Sequence, residues 1–157
     1  MAQTQKISTC LWFDNNAEDA ANFYVSLFAD SRILAISRSG DSGPGPKGSV
    51  LVVAFEIAGR RFMALNGGPH FKFNEAISLV IDCDSQQEID SYWERLSADG
   101  GQTSQCGWLK DKYGVSWQVI PAGMAELMQD PARAGRVMQQ VMQMQKLDLA
   151  KIRQAAA

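Results

Sequence analysis

The pattern of apolar and polar positions divides the chain into short alternating runs. Ile7 to Phe13 is rich in β-branched and aromatic residues and predicts a strand. Asp14-Asn15-Asn16 then supplies helix-capping side chains, and Glu18 and Asp19 stand in the first turn, where the helix dipole favours acids. Ala20, Phe23, Tyr24, Leu27 and Phe28 follow at helical spacing, and Asp30-Ser31 ends that element. Ile33 to Ser37 predicts a second strand. Gly40 to Gly48 is a Gly/Pro/Ser loop, and its two prolines remove amides that a phosphate cradle would need. Val50 to Ile57 and Arg61 to Leu65, joined by Ala58-Gly59, read as a hairpin. Asn66-Gly67-Gly68-Pro69 is a strong break.

After the break the pattern starts again. Ala76 to Asp82 predicts a strand. Ser85 to Leu96 predicts a helix, with Ser85 and Glu88 at capping-box spacing and Ile89, Tyr92, Trp93 and Leu96 as its stripe. Cys106 to Lys110 and Val115 to Ile120, joined by Asp111-Lys112-Tyr113-Gly114, read as another hairpin. The halves overlay at a shift of 69, which matches Phe23-Tyr24 with Tyr92-Trp93, Leu27 with Leu96, and Asp30 with Asp99. The same shift lays Ile7–Phe13 on Ala76–Asp82, whereas Gly59 and Gly114, in the two hairpin turns, are 55 apart. An internal repeat of this kind implies two tandem β-α-β-β-β modules in one α+β domain. Each module's helix covers one face of its sheet, so the other face is expected to curl into a mainly antiparallel cup around a small-molecule cavity. The expected division is a first module at 7–69, a second at 70–121 and a helical extension at 122–157.

That extension holds five of the seven methionines: Met124, Met128, Met138, Met142 and Met144. Two readings of it are open, helices packed on the sheet or a subunit contact exploiting methionine's adaptability. The net charge of −2 and the scattered Lys and Arg argue against nucleic-acid binding. No run approaches the roughly 20 apolar residues of a membrane helix. The polar stretch Met1 to Lys6 lacks the order of an export signal. Three widely spaced cysteines, Cys10, Cys83 and Cys106, form neither a disulfide framework nor a metal clip, so a cytoplasmic location is expected.

Three stretches carry a family resemblance: Leu11-Trp12-Phe13-Asp14, Phe62 to Pro69, and Cys106 to Asp111 continued by Gly114 to Val119. They resemble the PhnB-like branch of the glyoxalase/bleomycin-resistance/dioxygenase (vicinal oxygen chelate) superfamily, whose members often bear the name 3-demethylubiquinone-9 3-methyltransferase. The resemblance spans nearly the whole chain, tail included. It implies paired βαβββ modules, a cupped cavity and a homodimer. It also implies where a metal would sit, since metal-dependent members carry His and Glu ligands on the first and last strands of each module. Here Gln118 stands in place of the final glutamate, Met63 or Ala64 falls at the matching place in the first half, and the opening strands offer Ser8, Cys10, Trp12 and Ser78. His70, the one histidine, follows Pro69 in a loop. No metal or other cofactor is expected.

The residues left as candidates for ligand binding are Cys10, Trp12, Asn66, Cys106, Trp108 and Gln118. Trp12 and Trp108 are suited to stacking on a planar ligand. Trp117 alternates with Gln118 and faces the other way, into the core. Asn66 either bonds a ligand or adopts a positive φ in the turn, and Phe71 and Phe73 either form a lid or anchor their loop. Cys10 and Cys106 are small buried hydrophobes or thiols facing the cavity, and a nucleophilic thiol would need His70 or Lys110 nearby. Asp111 reads as a turn residue, with no second carboxylate to make an acid/base pair. The leading reading is a metal-independent protein that binds a small aromatic or hydrophobic molecule. The alternatives are an enzyme of the superfamily, including methyl transfer to a ubiquinone precursor, and a drug-sequestering module.

Overall fold

The computed structural model describes residues 5–157; the first four residues of the polar stretch Met1 to Lys6 lie outside them. Two compact units divide between Lys72 and Phe73. The first holds β1 (Thr9–Phe13), α1 (Ala17–Leu27), β2 (Arg32–Arg38), β3 (Val50–Ile57) and β4 (Arg60–Asn66). The second repeats that order with β5 (Leu79–Cys83), α2 (Gln86–Ser97), β6 (Gln102–Thr103), β7 (Trp108–Lys110) and β8 (Ser116–Pro121). Three helices follow: α3 (Met124–Leu127), α4 (Pro131–Val141) and α5 (Leu149–Ala156). Each unit has its own open four-stranded sheet, ordered β1-β4-β3-β2 and β5-β8-β7-β6. In each, the first strand runs parallel to the last and the other pairings are antiparallel.

The repeat is present in topology and in backbone detail. Asp30 and Asp99, aligned by the shift of 69, both adopt left-handed conformations, with φ of 52° and 55°. Such a residue ends a helix by turning the chain sharply, and aspartate tolerates it better than most. The hairpin turn at Ala58 and Gly59 also has both φ positive, the geometry that matches strand twist. The Ala58 N–H donates to Ser31 Oγ at 3.1 Å, and the Gly59 N–H to the Asp30 carbonyl at 3.2 Å. The helix end and the hairpin turn of the first module therefore brace each other.

One register differs from the expected overlay. β5 begins at Leu79, three residues after the expected Ala76, and the ladder partners Phe13–Asn66 and Cys83–Pro121 are equivalent. Strands thus match at a shift of 70 and helices at 69, because the link from β5 to α2 is one residue shorter than that from β1 to α1. Such a slip matters, since strand side chains alternate between faces. The short strand β6, which the β-α-β-β-β order called for but no apolar run located, is two residues long and exposed.

The inner face of the first sheet packs on α1. Leu11, Phe13, Val53, Phe55, Phe62 and Ala64 are buried against Ala17, Ala20, Ala21, Tyr24 and Leu27. The Tyr24 and Phe55 rings stack at 6.3 Å, and those of Phe55 and Phe62 at 5.5 Å. In the second unit Ile81, Trp117, Val119 and Leu109 are buried with Ile89 and Leu96 of α2. Ser85 caps α2, accepting the Glu88 N–H at 3.2 Å. The Glu88 carboxylate reaches back to accept the Asp84 N–H at 2.6 Å, completing a capping box one residue beyond the usual donor.

The tail forms a core of its own within the second unit. Val137, Val141, Leu147 and Ile152 are buried together, with Met124, Met144, Ile120 and Cys106 packed around them. Pro131 opens α4 at a position where its missing N–H costs nothing, and Asp130 caps it by accepting the Arg133 N–H. Met142, at 65% exposure, and Met128 point outward. The tail is thus packed, and its remaining exposed methionines are few.

Ile152→Ala is expected to destabilise the second unit by about 2–5 kcal/mol, the range for emptying a well-packed aliphatic site. Gln139→Ala, at an exposed position of α4, should stay within about 0.5 kcal/mol. Urea unfolding followed by circular dichroism would read both.

Candidate functional site

The alternation of β1 decides what the first unit exposes. Leu11 and Phe13 turn toward α1, so Cys10 and Trp12 turn the other way. Register sets Cys10 beside Met63 and Trp12 beside Leu65 on β4, and these beside Ala54 and Val52 on β3. The result is an apolar sheet face with no helix over it. Trp12 is held firmly there. Its indole N–H donates to the Gly68 carbonyl at 2.9 Å, and Phe71 meets its ring edge-on at 4.9 Å and 74°. A side chain on Gly67 would collide with the indole, so this position must be glycine for Trp12 to lie as it does. The Phe62–Pro69 segment therefore serves the tryptophan as much as the turn.

Asn66 has a role that neither sequence reading offered. Its φ is not positive. Its Oδ1 accepts the N–H of Ala17, the first residue of α1, at 2.9 Å, and its Nδ2 donates to the Val50 carbonyl at 3.0 Å. Of the Asp14-Asn15-Asn16 run expected to offer a cap, Asn16 takes the N-cap position and makes no side-chain cap. The cap is supplied from the end of β4, 49 residues away in sequence. Such a partner has no local signature.

Cys10 lies on the open face, yet partial burial pushes its thiol up from the ordinary value. Cys83 is buried under α2, and burial, with Glu88, Asp82 and Asp84 adding negative charge, pushes it up to about 12. Cys106 does not occupy a strand, because β7 begins two residues later at Trp108. It adopts φ 61° beside Gly107 at 82°. The two turn their N–H groups onto the tail, donating to the Met144 and Gln145 carbonyls at 2.8 Å each. Its side chain packs against the tail core.

On the second sheet, Val80, Gln118 and Trp108 stand in register across β5, β8 and β7 on the face away from α2. The Gln118 Nε2 donates to Ser78 Oγ at 2.9 Å. Trp117 faces the opposite way and is 3% exposed. Its indole N–H donates to Asp111 Oδ2 at 2.8 Å, while Asp111 Oδ1 accepts the N–H groups of Tyr113 and Val115. Asp111 is thus the turn residue expected, and also a buried anchor for a core tryptophan. Beside Trp108 lies a hollow of about 390 Å3, lined also by Lys110, Ser116 and Glu75; none of these three was singled out as a ligand contact from sequence.

The donor set does not suit a divalent ion. Among the described residues no group of three or more His, Cys, Asp and Glu side chains stands close enough to share one. A site needs about three such ligands, and Gln118 is engaged with Ser78. No helix among the described residues is long and apolar enough to cross a membrane.

The 3-demethylubiquinone-9 3-methyltransferase family model matches residues 5–120, and the chain belongs to that family. The match stops before α3, so the tail lies outside the family resemblance that the sequence had suggested for it. The PhnB protein of Bacillus cereus, named for 3-demethylubiquinone-9 3-methyltransferase, is 40% identical with a TM-score of 0.69, over 75% of this chain and 100% of its own. A protein from Pseudomonas aeruginosa shares 21% identity and a TM-score of 0.61, over 75% of this chain and 98% of its own. The fosfomycin resistance protein FosX from Mesorhizobium loti shares 13% and 0.54, over 80% and 97%; these last two likenesses are of fold. No curated protein matches the chain.

Two outcomes follow from the geometry. Asn66→Ala should cost about 1–2 kcal/mol by uncapping α1, read as a lower midpoint in chemical unfolding. With iodoacetamide at pH 8, Cys10 should be alkylated first, more slowly than a free thiol because less of it is thiolate, and Cys83 only on unfolding; peptide mass mapping over time checks the order.

Proposed function

We propose that this chain binds small planar or hydrophobic molecules on the open face of each sheet taken by itself, through Cys10 and Trp12 on the first and through Trp108 and Gln118 on the second. One observation carries the reading: Trp12 is fixed on an uncovered apolar face by its bond to Gly68, by Phe71 and by the bare backbone of Gly67. An aromatic side chain locked before the ligand arrives loses little entropy on binding. Asn66 acts from behind, setting the helix and the strand end from which the Gly67-Gly68 segment leaves. Cys106 acts through the tail.

The activity in the family's name receives no support from the chain's own groups. A methyltransferase of the common type holds its sulfonium cofactor at a Gly-rich turn between a parallel strand and a helix. Here Asp14-Asn15-Asn16 precedes α1 and Asp84-Ser85 precedes α2, and neither link contains glycine. Heat on mixing with S-adenosylmethionine in a calorimeter, at high protein concentration, would reinstate the enzyme reading.

A homodimer belongs to the same proposal, with the exposed Met142 as a candidate contact; equilibrium sedimentation of Met142→Glu tests it, and an unchanged dimer would remove that residue from the contact. The free cysteines suit a reducing, cytoplasmic setting. For the binding site, Trp12→Ala should weaken a neutral planar probe, 2-naphthamide, at least about tenfold while circular dichroism stays native. Equal affinity of the variant and the parent would overturn the assignment.

A further inference from the structure

The hollow beside Trp108 contains a polar feature that the fold itself does not use. Ser116 is 1% exposed, and its Oγ finds no hydrogen-bond partner among the protein's groups. Buried hydroxyls are ordinarily bonded, so such an atom calls for an explanation. Register places Ser116 directly beside Lys110, on the same sheet face as Gln118 and Trp108. All but Gln118 line the hollow. Lys110 is ion-paired with Glu75, which lies ahead of β5 and whose side chain is 60% exposed. Lys110 in turn holds the Glu75 carboxyl below the usual carboxylate range. An exposed pair of this kind contributes little to stability. It can be exchanged for another carboxylate at small cost.

We infer that this hollow is an anion subsite for a planar aromatic carboxylate, with the ring on Trp108, the carboxylate on Lys110 and Ser116, and Glu75 as an internal occupant that the ligand displaces. The inference rests on the binding reading above and names its ligand class. The incoming carboxylate gains what Glu75 lacks, a bond from the Ser116 hydroxyl and an attached ring to cover the indole. Gln102 and Ser104 line the same hollow and add polar groups at its margin.

The test compares 2-naphthoate with its neutral counterpart 2-naphthamide, by tryptophan fluorescence or calorimetry, on the full chain. The carboxylate should bind about tenfold tighter, the worth of one charge-assisted hydrogen-bonded contact. Glu75→Gln, an exposed change that leaves the core intact, should tighten 2-naphthoate several-fold and leave 2-naphthamide unchanged. Lys110→Gln should erase the preference, and Ser116→Ala should weaken the carboxylate alone. Equal binding of both probes, or a Glu75→Gln variant no tighter than the parent, overturns the anion subsite while the binding reading stands. Failure of both probes on the parent chain overturns the two together.

Discussion

A four-stranded sheet with a single helix to cover it has one face left over, and each module of this protein is built under that constraint. The parallel ladder between first and last strand fixes which residues take the covered side. Once Leu11 and Phe13 meet α1, Cys10 and Trp12 have nowhere to point but the open face. Once Trp117 and Val119 meet α2, Gln118 and Trp108 are placed the same way. The apolar character of the first open face, with Met63 and Leu65 beside Trp12, is then a standing cost in water unless something covers it. The candidate chemistry of this chain lies on surfaces that folding leaves unfinished.

Family membership and family name pull in different directions here. The match over residues 5–120 secures the fold, and the fold supports many chemistries. The side chains on the open faces are aromatic, amide, thiol and hydroxyl groups, together with the Lys110–Glu75 pair. They are suited to contact and polarity matching, and among the described residues no three His, Cys, Asp or Glu side chains stand together. What the chain invests in is positioning: Gly67 stays bare so that Trp12 fits, and Asn66 secures the helix and strand ends nearby.

Much of this was legible in the sequence because the repeat is local. Helix stripes and turn glycines fall at similar intervals in both halves, and Asp30 and Asp99 share a backbone conformation. What was not legible depended on partners far apart in sequence. The acceptor that starts α1 comes from Asn66, and no spacing rule points to it. Cys106 read as a strand residue because it precedes Trp108-Leu109, yet its left-handed turn is made for the tail, which the repeat does not contain. The overlay at 69 carried the helices and slipped the strands by one, because link lengths are not encoded in apolar periodicity. That slip would have exchanged the covered and open faces of β5. The hydroxyl of Ser116 escaped notice because serine next to a buried tryptophan looks ordinary until its partners are sought.

The docking of the tail has a further consequence. The family match ends at residue 120, and α3, α4 and α5 lie beyond it. The unmatched helices are gripped at Cys106 and Gly107 by main-chain amides bonding main-chain carbonyls. The main-chain part of that joint asks only for a left-handed turn, while the Gln86 side chain of α2 donates to the Leu147 carbonyl and accepts the Leu149 N–H. Gaining or shedding such an appendage would ask for few changes in the module it rests on, chiefly a left-handed turn and one glutamine, with Leu147 and its neighbours supplying the apolar packing.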